Sequence, residues 1–504
     1  MSQFFAGIQP ERVWYHFEEI TKLPHGSRNE DALRGYIAAF AQRNGLDCYY
    51  KADAAPDAPG DRTVVVYRRA APGLEQKPIV VLQAHMDMVC VPHERIFPLK
   101  LTFCDAQGGP GTGWVKAGGH TPQDGTTLGA DDGIGIAVAL AILEDSELQL
   151  GPVEALFTVQ EEVGLEGARD FDPALLKGRI FINLDEEVLK TITYGCAGGL
   201  SSMFRWKVAR EHVPATARCY ELRISDLKGG HSGVQIHEGR ANAMKLLARI
   251  LSHAAKEGLR FNLAGIASGN LKQANVIPSQ AAAQVVLNGA DVSSFGRLVA
   301  GLTAGFREEY QPVEPQLRVD WLETERPAEM LDNDWTQKLI HTLLAIPHGV
   351  QKTAGGSETM VETSTNLSAV ALNGADLAVL TMHRSFRESG LQWMEELHES
   401  IAGLTGASME HIERYPGWTP NENSELLRRA KRVYDAKFKG DYQIDVIHAG
   451  LESGWVIKKY PQAECIAIGP DLLEPHTVRE RVEMSSVAAF YDCVLGILLS
   501  YARD

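Results

Sequence analysis

The sequence predicts an α/β fold, a mainly parallel sheet covered by helices, interrupted by an inserted lid domain that is itself a duplicated α/β module. Three observations predict it. Short β-branched runs alternate with helical patterns as far as Leu184, the texture changes after the Gly-rich segment Tyr194 to Gly199, and the first texture returns from Ser424 onward. The expected boundaries are 1–196 for the first part of the main domain, 197–397 for the lid and 398–504 for the second part.

Taken in order, Val13, Phe17 and Ile20 fall at helical spacing, and Leu33, Ile37 and Phe40 repeat it between candidate caps at Ser27 or Asn29 and Gly45. Strands are expected at 63–67, 78–83, 153–159 and 179–184, with a helix at 132–145. In the lid the pattern runs strand 221–227, helix 240–257, strands within 275–287, then helix 292–309, strand 317–322, helix 334–345 and strands 368–372 and 376–381. The order recurs, which is the signature of duplication. After Ser424 come a helix to Phe438, strands at 443–447 and 464–468, and a closing helix at 485–501. The Gly- and Thr-rich segment 105–123 reads as the one long irregular stretch of the first domain.

Composition narrows the function. With 49 Lys and Arg against 65 Asp and Glu, the formal charge of -16 gives no attraction to phosphate backbones or anionic lipid. Nucleic acid is excluded as an expected partner. The N-terminus lacks a basic segment followed by an apolar one, and the apolar stretch 133–143 is too short to span a bilayer. The expectation is a cytoplasmic protein with no membrane partner. Seven scattered cysteines without a C-x-x-C pair read as reduced thiols.

The chemistry-bearing side chains fall where strands end or helices begin. The run PIVVLQA delivers His85 and Asp87, an i, i+2 pair facing one side of extended backbone. Asp131 and Asp132 open a helix, Glu161 and Glu162 follow the strand EALFTV, Asp185 follows IFIN, and His476 comes after ECIAIG. Singly, each has an ordinary explanation in a cap, a solvated face or a structural histidine. Together they can converge in the crevice outside the carboxyl ends of the strands. Imidazole and carboxylate both suit Zn²⁺, so His85, Asp131, Glu162, Asp185 and His476 make a set for two ions, leaving Asp87 and Glu161 for orienting and base roles.

Other hydrolytic signatures fail. Phe97 and Ala402 stand where H-E-x-x-H needs its second histidine, Val234 breaks G-x-S-x-G, and Val138 breaks G-x-G-x-x-G.

At these residues the chain resembles the M20 family of co-catalytic zinc peptidases, and within it the aminoacyl-histidine dipeptidases. The stretches that carry the resemblance are VVLQAHMDMV, TTLGADDGIGIA, TVQEEVGLEGA, INLDEE, YGCAGG, LKGGHSGVQIHEGRANA, VETSTNLS, RSFRESG, YPGW and HAGLESG, with HT after GPDLLEP. It implies a zinc-peptidase catalytic domain holding two Zn²⁺, with Co²⁺ or Mn²⁺ as substitutes. Asp131 would bridge, His85 and Asp185 would complete one site, and Glu162 and His476 the other. Glu161 would be the general base, Asp87 would position His85, and the Asp131–Asp132 peptide would be cis. From the lid, His231 would stabilise an oxyanion, Arg384 would take the substrate carboxylate and Asn242 would contact substrate. The implied substrates are small dipeptides, Xaa-His such as β-Ala-His, and a homodimer stays open. Two departures stand out, the longer Gly-rich segment 105–123 and Ser453 where relatives commonly show Cys. The competing readings are a deacylase or aminotripeptidase on the same scaffold, and a non-hydrolytic peptide-binding module, which would have no need of Glu161.

Overall fold

The computed structural model describes residues 2–55, 57–92, 96–121, 123–355 and 360–503. The chain forms two compact units, one built from Met1–Cys196, Pro420–Val446 and Leu451–Asp504, the other from Ala197–Thr419 and Ile447–Gly450.

In the first unit an eight-stranded sheet runs in the order Asp47–Tyr49, Val64–Arg68, Val153–Thr158, Val80–His85, Ile180–Asn183, Glu464–Ala467, Thr191–Cys196, Gln443–Ile447. The expected parallel arrangement is its centre, where Val153–Thr158, Val80–His85, Ile180–Asn183 and Glu464–Ala467 pair in parallel. Asp47–Tyr49 with Val64–Arg68, Val64–Arg68 with Val153–Thr158, and Glu464–Ala467 with Thr191–Cys196 pair antiparallel. Every residue of Val80–His85 and of Val153–Thr158 is buried, which is why these strands read as continuous apolar runs rather than alternating ones. Helix Ala130–Glu144 is buried on almost all sides and packs against helix Glu11–Ile20. Gly133 permits that approach, since a Cβ there would stand 3.3 Å from the Phe17 ring.

Helix Met484–Arg503 is long and apolar enough to cross a bilayer by length and composition. Its buried positions Val487, Phe490, Val494, Ile497 and Tyr501 recur at helical spacing, and the helix packs on Glu425–Phe438. That makes it a core helix of this unit.

A smaller sheet corrects the reading of 105–123 as irregular. Trp114–Gly118 is a strand between Arg481–Glu483 and Leu101–Cys104, with Leu472–Leu473 and Gly125–Thr126 completing the sheet; Pro122 lies outside the described residues. The strand has turn-rich flanks and Gly at its end, so its pairing partner, far away in sequence, is what makes it β. That partner belongs to the hairpin whose turn carries His476.

The second unit has the duplication in its topology. Its sheet runs Arg318–Glu323, Arg218–Ser225, Ala281–Leu287, Phe261–Ser268, Val361–Asn373, Asp376–Ser385, Gly198–Lys207, Ser408–Tyr415. The first copy is strand Arg218–Ser225, helix Ala243–Lys256, strands Phe261–Ser268 and Ala281–Leu287, helix Val292–Tyr310 and strand Arg318–Glu323. The second copy uses Gly198–Lys207 as its first strand, then helix Asn333–Ala345, two long strands, helix Glu388–Thr405 and Ser408–Tyr415. Each copy orders its strands 4-1-3-2, and the two meet antiparallel at their second strands, Ala267 against Ala371 and Ser268 against Val370. The helices bury Leu247, Leu251, Phe295, Leu339 and Leu343 against Phe204, Leu263 and Leu367 of the sheet.

Residue 197 begins this unit as expected, but the boundary expected at 397/398 falls inside helix Glu388–Thr405, and the unit continues to Thr419. The last strand, Ser408–Tyr415, pairs along Gly198–Lys207, so the second copy is incomplete without it.

Candidate active site

Strand ends deliver the site. His85 is the last residue of Val80–His85, Asp131 lies at the start of Ala130–Glu144, Glu161 and Glu162 follow Val153–Thr158, and Asp185 follows Ile180–Asn183. His476 comes from the hairpin turn between Leu472–Leu473 and Arg481–Glu483 rather than directly from strand Glu464–Ala467. Two backbone outliers mark the rim, Gln160 at φ 56 and His476 at φ 59, both in the left-handed region that non-glycine residues occupy at a cost. The Asp131–Asp132 peptide is cis.

The five candidate ligands converge on Asp131. His85 Nε2 lies 2.9 Å from Asp131 Oδ1 and 3.5 Å from Asp185 Oδ1. On the other side, His476 Nε2 lies 3.0 Å from Asp131 Oδ2 and 2.8 Å from Glu162 Oε1. One carboxylate thus faces an imidazole and a second carboxylate at each of its oxygens. His85, Asp131 and Asp185 form one ligand-capable group within 4.8 Å, Asp131, Glu162 and His476 another, and His85, Glu161 and Glu162 a third. Donor types and separations fit a pair of zinc-like cations sharing Asp131.

The electrostatics agree with a cation site. Burial raises Asp185 and Glu161 well above the usual carboxylate range. At Glu161 the attraction of His85 opposes this, while Asp185, Glu162 and Glu452 add repulsion. Asp131 moves the other way; burial would raise it, but hydrogen bonds from His476 and His85 hold it down. His476, despite burial, is pushed up to about 11 by Asp131 and Glu162. A cluster that demands positive charge this strongly is suited to divalent ions.

Asp87 is buried beneath this cluster. His85 Nδ1 donates to its backbone carbonyl at 2.9 Å, with Oδ1 at 3.6 Å. Its carboxylate accepts from Glu161 N at 2.8 Å, from Glu162 N at 3.2 Å and from Ser27 Oγ at 2.8 Å. Asp87 therefore holds the Glu161–Glu162 backbone as well as the neighbourhood of His85.

Sequence reasoning missed two buried carboxyls. Glu480 accepts from the backbone amides of Leu128, Gly129 and Ala130 at 2.7, 3.1 and 2.8 Å, clasping the turn that leads into Asp131. Burial, with Asp131 nearby, pushes it up to about 7 against those three donors. Glu452, inside HAGLESG, is fully buried and reaches Gln83 and Thr158. Neither has a local signal; their partners lie hundreds of residues away.

The remaining candidates sit in the second unit. The amides of Gly233 and Val234 both donate to His231 Nδ1 at 3.2 Å, which leaves the proton on Nε2. Burial, then the charge of Arg384, lowers His231 to about 4, so its imidazole is neutral at pH 7. Arg384, 4% exposed, places Nη2 3.4 Å from His231 Nε2 and donates from Nη1 to Tyr415 Oη at 2.7 Å. Among the described residues its Nε finds no hydrogen-bond partner. Two N–H donors side by side, one fully charged and buried, make a cradle for an anionic or carbonyl oxygen. Asn242 has a local role, capping helix Ala243–Lys256 through Oδ1 and donating from Nδ2 to Leu367 O at 2.8 Å.

A family profile described as the M20 peptidase dimerisation domain matches residues 224–313, within the first lid copy. The cytosol non-specific dipeptidase of Escherichia coli is 33% identical over 498 residues, covering 97% of this chain and 98% of that one. The crystal structure of the aminoacylhistidine dipeptidase of Vibrio alginolyticus matches with a TM-score of 0.86 at 33% identity, over 99% of both chains. A tripeptidase from Staphylococcus aureus shares the fold at 16% identity, with a TM-score of 0.55 over 99% of this chain and 100% of that one. Likeness that runs from one end of the chain to the other, at an identity this high, makes the protein a member of the M20 peptidase family.

Proposed function

We propose that the protein is a dipeptidase working through two Zn²⁺ ions, for which Co²⁺ or Mn²⁺ can substitute, on Xaa-His dipeptides such as β-Ala-His. The observation that carries this reading is Asp131, each of whose oxygens faces one imidazole and one further carboxylate. His85 and Asp185 would hold one ion, Glu162 and His476 the other. Bound there, the pair would supply Lewis acidity and a water acidic enough to act as nucleophile.

The protein's own groups supply the rest. Glu161 takes the water's proton and passes it to the leaving amine, a role for which its raised proton affinity suits it. Asp87 fixes the backbone that carries Glu161. His231, as a neutral imidazole, donates a hydrogen bond from its Nε2–H to the developing oxyanion. Arg384 pairs with the free carboxylate of the dipeptide, and that demand for a terminal carboxylate separates dipeptides from substrates lacking one. The Xaa-His preference draws on the sequence motifs and on the name of the Vibrio relative, and cytoplasmic residence on that of the Escherichia coli relative. Asn242 stays a substrate candidate beside its capping role.

The test is incubation of pure protein with β-Ala-His, Gly-His, an N-acetyl amino acid and a tripeptide, with and without chelator. Chelator-sensitive hydrolysis of the two dipeptides is expected. Cleavage of the acetyl substrate alone would overturn the proposal in favour of a deacylase.

A further inference from the structure

We propose that Glu452 is a positioning residue, a single buried carboxyl that fixes together the three strand ends from which His85, Glu161, Glu162 and Asp185 project. It is the first residue of helix Glu452–Lys459 and has 0% exposure. Its Oε2 accepts from Gln83 Nε2 and, at 2.7 Å, from Thr158 Oγ1. Gln83 Oε1 accepts in turn from Asn183 Nδ2 at 2.6 Å, and Asn183 Oδ1 accepts from Asp185 N at 3.3 Å.

The positions of these partners give the network its meaning. Gln83 precedes His85 by two residues on the same face of its strand, Thr158 lies in register with His85 and just before Glu161, and Asn183 precedes Asp185 by two. All three are buried to 1% exposure or less. One carboxyl therefore ties three adjacent parallel strands at the points where each turns into the site.

Stability alone would not select this arrangement. Oε1 of Glu452 is enclosed with no hydrogen-bond partner among the described residues, and apolar side chains of similar volume would fill such a space at lower cost. What apolar packing does not supply is directional control of three backbones whose side chains must meet within a few tenths of an ångström.

The inference rests on the two-metal reading above, and the experiment separates the two. Full-length wild type, Glu452→Gln, Glu452→Ala and Thr158→Val are compared for Zn²⁺ affinity by chelator competition, and for kcat and KM on Gly-His. Glutamine keeps an acceptor oxygen for both donors; alanine removes it. Glu452→Ala is expected to lose about 10–100-fold in Zn²⁺ affinity or kcat with little change in KM, Glu452→Gln to restore most of the loss, and Thr158→Val to fall between. A Glu452→Ala protein with wild-type affinity and kcat, whatever its Tm, overturns the proposal. Should that variant fail to fold, Thr158→Val with wild-type affinity and kcat overturns it equally. Wild type that takes up no Zn²⁺ would instead refute the metal reading itself.

Discussion

Glu161 and Glu162 are neighbours in sequence with different roles. Glu162 faces His476 at 2.8 Å, while the amide of Glu161 is held by Asp87 and its carboxyl is crowded by Asp185, Glu162 and Glu452. Replacing Glu161 by Ala is therefore expected to lower kcat by about 10²–10⁴-fold with metal content unchanged, checked by steady-state kinetics and elemental analysis together. Loss of both ions in that variant would make Glu161 a ligand instead. Arg384→Ala should cost at least about 2 kcal/mol, roughly 30-fold in kcat/KM, on free dipeptides and little on C-terminally amidated ones. Equal loss on both would remove Arg384 from carboxylate recognition. His85, Asp131, Glu162 and Asp185 were legible because each ends or follows a strand or opens a helix, a placement visible in the sequence, whereas His476 stands in the turn of a hairpin. Glu480 and Glu452 were not, since an acidic residue that acts on Leu128 or Gln83 from more than 300 positions away looks like any surface glutamate.

Elements were legible where one strand is buried on both faces. Val80–His85 shows itself as an apolar run, whereas Gly198–Lys207 begins with two glycines and reads as a break. The glycines answer to close approach: a Cβ on Gly198 would lie 2.4 Å from Gly417 N, and one on Gly199 would lie 2.3 Å from the Tyr415 ring. The lid elements also bury histidines. His383 and His398 pack with ring centroids 4.0 Å apart, tilted by 49°, at 0% exposure. Burial, followed by repulsion from neighbouring histidines, drives His383 well below 6.5, and burial lowers His398 to about 4. Burial, then Arg384, takes His448 to about 3. With folded values below the unfolded one, the unfolded chain binds protons first as pH falls. The stability these groups contribute is present above pH 6.5 and is lost as pH falls, down to about 4 for His398 and about 3 for His448, at up to about 1.4 kcal/mol per pH unit for each group. Urea midpoints at pH 7 and pH 5 are expected to show this drop, and His398→Phe to reduce it; an undiminished drop in that variant would remove His398 from the account.

At the scale of the molecule, the site gathers four carboxylates and two imidazoles in the first unit while the second holds none of the five proposed ligands. Metal should therefore act on one unit. Binding at 100 times Kd adds about 2.7 kcal/mol to the folded state. Calorimetry with and without chelator is expected to show the first unit's transition rising by several degrees with metal, and the lid's transition unmoved. A shift of the lid alone would contradict the assignment. The insertion was legible from the change and return of texture, but its end was not, because Glu388–Thr405 and Ser408–Tyr415 follow the RSFRESG motif with no compositional break.

The tandem lid also bears on how specificity can evolve. Were its two halves identical subunits, any substitution would be imposed on both at once. Here His231 belongs to the first half and Arg384 to the second, 3.4 Å apart yet encoded separately. Each can be retuned while its counterpart stays fixed, so a single covalent chain is free to alter the proposed oxyanion donor and the proposed carboxylate partner one at a time.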